Sequence, residues 1–319
     1  MTLSIKSLTG KNVVVLGDIM LDRYIWGDVT RISPEAPVPV VLAKKESSVP
    51  GGAANTASNI VSLGGNSILI GVIGNDDAGL KIRSHLTENR ISNMLTIEPN
   101  RPTTQKTRVM GNRQQLARLD KESRASISAN TEDEVIRKIK EATKKCDAFV
   151  VSDYAKGLLT VRIASTIHEE CEQKKIPIIC DGKPQNKELF KNSYLITPNK
   201  KEAYAMAEAD DKESIESVGQ KLSHELNCNV LITLSEQGMI LFEKKRAVTK
   251  IPTKAKEVFD VSGAGDTVVA ATALSLAAGM PLIEACKIGN YAAGVVVGKL
   301  GTTTITQKEL EKAIKDDGQ

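Results

Sequence analysis

The feature that most constrains this 319-residue chain is a regular alternation of short apolar strands with helical stretches. Strand-like runs occupy 148–151, 176–180, 194–196 and 230–234, and helical runs occupy 131–145, 161–174, 200–207 and 215–226. Earlier, 12–16 is a β-branched run ending at Gly17-Asp18, 67–73 is a second strand, and 76–89 is helical. Gly51-Gly52-Ala53-Ala54-Asn55 opens another helix, which Gly64-Gly65 closes after Leu63. Strands separated by helices pair in parallel and need both faces of their sheet covered. With 41% hydrophobic but only 3% aromatic residues, those layers must pack through aliphatic side chains. The length allows one large α/β domain or two smaller ones. No low-complexity linker or internal repeat divides it, so one domain over 1–319 with a small lid is expected.

Two runs break the rhythm. Residues 38–43 and 103–110 alternate apolar and polar without an adjoining helix, the first after Arg31-Ile32-Ser33-Pro34-Glu35-Ala36-Pro37. They predict a small side sheet, with lid strands at about 20–45 and 103–120. Such strands serve equally as a flap over a substrate or as ordinary sheet edges.

Composition excludes several classes. A net charge of +4, evenly spread, is too mild for a nucleic-acid footprint. No run reaches the roughly 18 apolar residues of a membrane span. The opening Met1-Thr2-Leu3-Ser4-Ile5-Lys6 lacks a signal-peptide core, and the five cysteines are far apart without metal-ligand spacing. These features predict a cytoplasmic protein with reduced thiols and no membrane or nucleic-acid partner.

Chemistry concentrates where strands end. In an open parallel sheet, ligands collect beyond the carboxyl ends of the strands. There stand Asp18, Ser152-Asp153-Tyr154-Ala155-Lys156-Gly157, Asp181-Gly182-Lys183-Pro184, Thr197-Pro198-Asn199-Lys200-Lys201-Glu202 and Thr233-Leu234-Ser235-Glu236-Gln237-Gly238. So many aspartates and lysines on one rim suit an anionic ligand with a metal. Near the C-terminus, Val261-Ser262-Gly263-Ala264-Gly265-Asp266-Thr267 leads into an apolar helix expected over 270–278. A turn of such small residues at a helix start leaves backbone N–H groups open to an anion. Asp266 beside it could take the proton of an attacking hydroxyl. Taken alone, the stretch is equally a glycine-rich helix start with a dipole-favoured first-turn carboxylate. No G-x-G-x-x-G follows the first strand, which sets aside an NAD-linked oxidoreductase. Gly294-Val295-Val296-Val297-Gly298-Lys299-Leu300 is one residue short of a Walker A loop and reads as buried helix.

In order along the chain, Gly51-Gly52-Ala53-Ala54-Asn55, Asn199-Lys200-Lys201-Glu202 and Gly263-Ala264-Gly265-Asp266 resemble the signatures of the ribokinase (PfkB) carbohydrate kinases. Within that family, several runs resemble the D-glycero-β-D-manno-heptose-7-phosphate kinase branch. They are Gly17-Asp18-Ile19-Met20-Leu21-Asp22-Arg23-Tyr24, Arg31 through Val40, Ser152 through Gly157 and Ala292 through Thr302. The resemblance runs from Lys11 to the C-terminus. It implies a ribokinase-like three-layer α/β/α fold, a mostly parallel central sheet and a small β lid.

The implied activity is ATP- and Mg²⁺-dependent phosphorylation of O1 of the heptose 7-phosphate to the 1,7-bisphosphate, toward ADP-heptose and the lipopolysaccharide inner core. Many relatives fuse such a kinase to an adenylyltransferase, so the chain is either monofunctional or the kinase part of a larger protein. Asp266 carries over as catalytic base, with Gly263, Ala264 and Gly265 as the anion hole, and Asn199 and Glu202 as the Mg²⁺ site. Asp18, Gly51, Gly52 and Asn55 carry over to the sugar. Asp153, Lys156, Asp181 and Lys183 face the same rim, and Lys106 and Arg108 are candidates for the 7-phosphate, ahead of Arg118. Thr233, Ser235 and Gly238 form the nucleotide loop, with Asn199, Gly263, Gly265 and Asn290 also on the ATP side. The chain departs from the branch in having Asp-Gly-Lys-Pro at 181–184, where many relatives have Asp-Pro-Lys-Gly, and Ser235, where many ribokinases have glycine. The family also implies a homodimer through the lid strands. The rival readings are a kinase for another sugar or sugar phosphate, and a non-catalytic sugar- or nucleotide-sensing protein on the same fold.

Overall fold

The computed structural model describes residues 5–112, 114–244, 248–255, 257–299 and 301–317. Residues 1–4 and Leu300, which carry parts of the N-terminal and Walker-like readings, lie outside them. The strands are β1 (Asn12–Gly17), β2 (Ile19–Ile32), β3 (Pro39–Gly52), β4 (Asn66–Ile73), β5 (Ser92–Ile97), β6 (Thr104–Gly111), β7 (Gln114–Lys121), β8 (Ala148–Ser152), β9 (Ile178–Asp181), β10 (Leu195–Ile196), β11 (Asn229–Thr233), β12 (Met239–Phe242) and β13 (Val248–Ile251). The helices are α1 (Ala53–Ser62), α2 (Asp77–Glu88), α3 (Ala129–Ala142), α4 (Val161–Lys174), α5 (Lys200–Ala207), α6 (Ile215–Glu225), α7 (Ala264–Ala277), α8 (Leu282–Val296) and α9 (Gln307–Asp317).

Among the described residues the main sheet has nine strands, in the order β13-β12-β11-β10-β9-β8-β1-β4-β5. All its pairings are parallel except β11 with β12 and β12 with β13. Alternation along β1 explains the layers. Val13 and Val15 join one core cluster with side chains of α1, α2, α7, α8 and α9. Val14 and Leu16 point the other way, into a cluster with α3 to α6. A strand buried on both faces is continuous in apolar residues, as Val13-Val14-Val15-Leu16 is. Strand order reverses between β1 and β8, which opens a crevice above their carboxyl ends.

The second sheet has the order β3-β2-β6-β7. It leaves the main sheet through Asp18 and returns through Gly52, where φ is +59°. The lid strand anticipated at 38–43 therefore continues to Gly52 and runs straight into α1, correcting the expectation that no helix adjoins it. Gly51 and Gly52 close β3, and α1 begins only at Ala53. The helix anticipated from 270 starts six residues earlier, at Ala264. Its uniform burial, with Val268 through Leu274 all buried, reflects packing between the sheet and α8. The 294–300 run is helical only to Val296, and Val297 to Lys299 form a turn. Strands β5, β12 and β13 and helix α9 have no counterpart among the anticipated elements.

Candidate active site

The switch-point crevice begins at Asp18, whose N–H donates to the Ser152 carbonyl at 3.0 Å. One oxygen of its carboxylate, Oδ2, accepts the N–H groups of Tyr154 (2.8 Å) and Lys156 (3.1 Å). The loop after β8 is thus tied to the end of β1. Burial, aided by the charge of Asp153, pushes the Asp18 carboxyl up to about 6 against those two bonds.

Asp266 stands in the first turn of α7, only 6% exposed. Gly263 before it sits at φ +79°, and a Cβ there would lie 2.7 Å from Asn55 Nδ2. Only glycine fits that turn without moving Asn55. Asn55 Nδ2 donates to Asp266 Oδ2 at 2.8 Å, Tyr154 Oη donates to Oδ1 at 2.7 Å, and Thr56 Oγ1 reaches Oδ1 at 3.4 Å. One turn further on, Thr267 Oγ1 contacts Asn59 Oδ1 at 3.4 Å, continuing the polar seam between α1 and α7. Burial raises the Asp266 carboxyl to about 6, the bonds from Asn55 and Tyr154 lower it, and the Asp22 charge raises it. The result is a base that is mostly ionised near neutrality yet basic enough to accept a proton. In front of it, a Cβ on Gly265 would meet nothing within 4 Å. The Ala264 N–H of this first turn donates to the Val261 carbonyl at 3.2 Å, so the open side of the turn is at Gly265.

Beside Asp266 lies a cluster of like charge. Burial, then the charges of Asp266 and Glu202, raise Asp181 to about 7, and Lys183 opposes them. Lys183 Nζ is hydrogen-bonded to Glu202 Oε1 and also lies 5.3 Å from the Tyr154 ring centroid. Burial works against the Lys183 ammonium, but Glu202 outweighs it and its pKa lies above the usual lysine range. The Asp-Gly-Lys-Pro order has a packing reason. A Cβ on Gly182 would lie 2.1 Å from the Phe190 ring, and Pro184 opens the 3₁₀ turn Pro184–Phe190. Asn199 and Glu202 form a reciprocal capping box at the start of α5, each side chain accepting the other's N–H at 3.0 Å. Glu202 therefore caps its helix with Oε2 and meets Lys183 with Oε1.

The lid contributes its own charges. Asp22 on β2 and Arg108 on β6 form a salt bridge at 2.5 Å, with Arg108 over the Tyr24 ring at 5.3 Å. Tyr24 in turn stacks on Trp26 at 5.8 Å. Lys106, two residues from Arg108 on the same face, lies 5.6 Å from the Tyr154 ring centroid. Burial lowers its pKa, with Asp22 opposing, and among the described residues it makes no salt bridge. Lys156 is paired with Glu122 at 2.6 Å, and Arg118 with Asp120 at 2.9 Å. Asp153 does not hold the Lys156 ammonium. It accepts Asn186 Nδ2 at 2.8 Å and the Ala155 N–H at 3.0 Å, fixing the loop.

At the other end of the rim, Leu234 N–H donates to the Gly238 carbonyl at 2.8 Å, closing the loop after β11. Ser235 sits in the left-handed region at φ +53°, the conformation glycine would take more easily. Thr233 and Asn199 are joined by an isolated parallel bridge, which links the loop after β11 to the capping box. Asn290 is buried, and its Nδ2 donates to the Pro252 carbonyl at 2.7 Å, anchoring the segment that leads toward Gly263.

The fold thus gathers Asp18, Gly52, Asn55, Lys106, Lys183 and Asp266 around Tyr154, and Asp181 and Glu202 around Lys183. Gly51 lines the same wall, since a Cβ there would strike Asp22 Oδ2 at 2.2 Å. Thr233, Ser235, Gly238 and Asn290 lie apart from that cluster. Sequence reasoning gave no site role to Asp22, Tyr154 or Thr56. Asp22 carried a signal, as a charged residue between Met20 and Tyr24 on a lid strand.

An open nine-stranded α/β sheet with a separate β lid, an aspartate at a glycine-rich helix start and a rim of carboxylates and lysines defines a small-molecule phosphotransferase fold. The profile of the pfkB family carbohydrate kinases matches residues 10–309. The bifunctional protein HldE of Sulfurimonas denitrificans is 40% identical over 312 residues, covering 97% of this chain and 65% of that protein. The bifunctional protein HldE of Yersinia enterocolitica is 43% identical over 305 residues, covering 95% and 63% respectively. The chain thus spans a little under two thirds of the length of these relatives. Phosphofructokinase-2 from Escherichia coli in complex with potassium superposes with a TM-score of 0.81 at 18% identity, covering 98% of this chain and 100% of that one. Arabidopsis thaliana ribokinase complexed with ribose and ATP does so with a TM-score of 0.75 at 20% identity, covering 96% and 99%. The chain belongs to the pfkB family of carbohydrate kinases and is a phosphotransferase with an alcohol group as acceptor.

Proposed function

We propose that this kinase transfers the γ-phosphoryl group of ATP to O1 of D-glycero-β-D-manno-heptose 7-phosphate, giving the 1,7-bisphosphate on the route to ADP-heptose and the lipopolysaccharide inner core. The observation that carries the phosphotransfer is the buried Asp266 carboxylate beside the open space at Gly265. The heptose assignment is supported by the branch-like runs at 17–24, 31–40 and 152–157 and by the likeness to the HldE proteins.

In this reading the acceptor hydroxyl lies between Asp18 and Asp266, and gives its proton to Asp266 as its oxygen bonds to phosphorus. The bond to the bridging oxygen of ADP then breaks, and charge on the transferring group meets the N–H groups at Gly263 and Gly265 and the Lys183 ammonium, the Ala264 N–H being held by the Val261 carbonyl at 3.2 Å. The donor set fits a divalent cation carried on nucleotide phosphates. Asp181, Glu202 and Asp266 repel one another across a single ammonium, and Mg²⁺ needs few direct protein ligands. Asn199 and Glu202, whose oxygens are engaged by the capping box and Lys183, would hold Mg²⁺ largely through its water shell, and the ion when bound would neutralise developing phosphate charge. Lys106 is the best-placed cation for the 7-phosphate, because Arg108, Arg118 and Lys156 are already engaged by Asp22, Asp120 and Glu122. The loop 233–238 and Asn290 would bound the adenosine.

A cytoplasmic homodimer through the lid belongs to the same proposal. Leu42 on β3 and Leu119 on β7 are 64% and 59% exposed, an apolar cost that a second lid would relieve. The deciding experiment is Mg²⁺-ATP turnover against D-glycero-D-manno-heptose 7-phosphate, sedoheptulose 7-phosphate, fructose 6-phosphate, ribose and adenosine, with Asp266→Asn as control. Asp266-dependent ADP release with the heptose phosphate alone is expected. Turnover with a different sugar overturns the heptose assignment and keeps the kinase, whereas ATP binding without any turnover favours a sensing protein.

A further inference from the structure

Tyr154 lies between the lid residue Lys106, the rim residue Lys183 and the first turn of α7, and its hydroxyl is bonded to Asp266. The Oη donates to Asp266 Oδ1 at 2.7 Å. Its ring is fixed from several directions. Lys106 Nζ and Lys183 Nζ lie 5.6 and 5.3 Å from the ring centroid, and a Cβ on Gly52 would be 3.3 Å from Tyr154 Cε2. Both ammonium groups are attracted electrostatically to the ring.

The lone pairs of Asp266 can be assigned one by one. An ionised carboxylate offers about four acceptor sites. Tyr154 and Thr56 occupy the two on Oδ1, and Asn55 occupies one on Oδ2. The site left open is the second lone pair of Oδ2. We propose that Tyr154 is a positioning residue, whose phenol, together with Asn55, turns Asp266 so that Oδ2 alone faces the acceptor hydroxyl. The inference rests on Asp266 being the base of the proposed kinase reaction.

The phenol is suited to this task because it stays protonated. Burial and the surrounding carboxylates, Asp266 first, hold it well above the usual tyrosine range. It therefore donates at every pH where the enzyme works, and the acceptor's proton goes to Asp266 and not to Tyr154. The groups facing Asp266 are Asn55 and Thr56 from α1, Asp22 from β2, Asp181 from β9 and Tyr154 from the loop after β8. Of these, Asp22 and Asp181 repel its charge, while Tyr154, Asn55 and Thr56 stabilise it.

Two variants of the full chain test this. Tyr154→Phe removes the donor and keeps the ring between its lysines. It is expected to lower kcat on the order of 10-fold or more, to leave the sugar-phosphate KM within about threefold, and to move the acid limb of kcat/KM up by about one pH unit. Site-specific 2,3-difluorotyrosine at position 154 keeps shape and packing with a stronger donor, and should move the limb down. Ionisation of Asp266 is followed separately, without substrate, by the carboxyl infrared difference between the wild-type chain and Asp266→Asn. That band should titrate higher in Tyr154→Phe and lower in the fluorinated chain. Opposite shifts support the assignment even if the sugar substrate proves to be another, because the infrared reading needs no turnover. An unmoved Asp266 titration in both variants overturns it, as does a Tyr154→Phe enzyme with wild-type kcat.

Discussion

The two ends of the ligand rim solve opposite problems. At the end that holds Asp266, Asp18 and Asp266 are buried and accept named donors, Asp181 is half-buried beside them, and all three carry raised pKa values. At the other end, proposed for the nucleotide, Ser235 and Gly238 shape an open loop with no buried residue between them. Burial there would gain little, because a nucleotide brings its own charge and a large apolar base. The acceptor end must present a base in one orientation to one hydroxyl, and only a dry, fully bonded pocket does so. The comparison teaches that preorganisation is concentrated where a proton moves and is relaxed where a large ligand supplies the contacts.

The strongest way to break that contrast is Asp266→Asn. Turnover is expected to fall by about 10³-fold or more while ATP binding, followed by calorimetry, changes little. Turnover within tenfold of wild type would remove Asp266 from the chemistry. Next in size is Gly263→Ala. The added methyl meets Asn55 Nδ2 and the positive φ disfavours any L side chain, so a loss of about 1–2 kcal/mol in thermal unfolding is expected, together with at least tenfold in kcat. A variant as stable and active as wild type would mean the turn is freer than its geometry indicates.

Lys183→Met should separate the two ends. It leaves Glu202 and Asp181 without their ammonium, and is expected to raise the KM for Mg²⁺-ATP on the order of tenfold with the sugar KM nearly unchanged. A shift in the sugar KM alone would move Lys183 to the acceptor side. Stability against pH probes the same cluster. A carboxylic acid with a folded pKa above its unfolded value favours the fold while protonated and opposes it once ionised. Asp18 and Asp266 at about 6 and Asp181 at about 7 thus make the protein lose stability as pH rises from about 4 to about 8. Asp266→Asn should recover about 1–3 kcal/mol at pH 8 and almost none at pH 4, measured by denaturant unfolding. The smallest effect is expected from Ser235→Gly, which relieves a left-handed serine and should add a few tenths to about 1 kcal/mol without changing kcat.

Local patterns carried much of this protein. The β-branched run Val13-Val14-Val15-Leu16 reads as a strand covered on both faces, and Gly263-Ala264-Gly265-Asp266 reads as a tight entry into a helix. The strand-end rule places Asp18, Asp181 and Lys183 on one rim from the sequence alone. Strand β12 and the edge strand β13 escape because four residues, apolar in β12 and mixed in Val248-Thr249-Lys250-Ile251, are too few to show a distinctive period. Helix α1 was placed two residues too early, because Gly51-Gly52 serve the lid strand and not the helix.

What the sequence determined is therefore the alternation of layers, the rim on which aspartates and lysines gather and the placing of Asp266 at a tight helix start. What only the tertiary structure decided is which charges remain available. Arg108 is engaged by Asp22, 86 residues away, and Tyr154 reaches Asp266 across 112 residues. Such pairings are set by strand order, lid register and the angle between α1 and α7. No local period encodes them, because each partner satisfies its own segment equally well before the two are brought together.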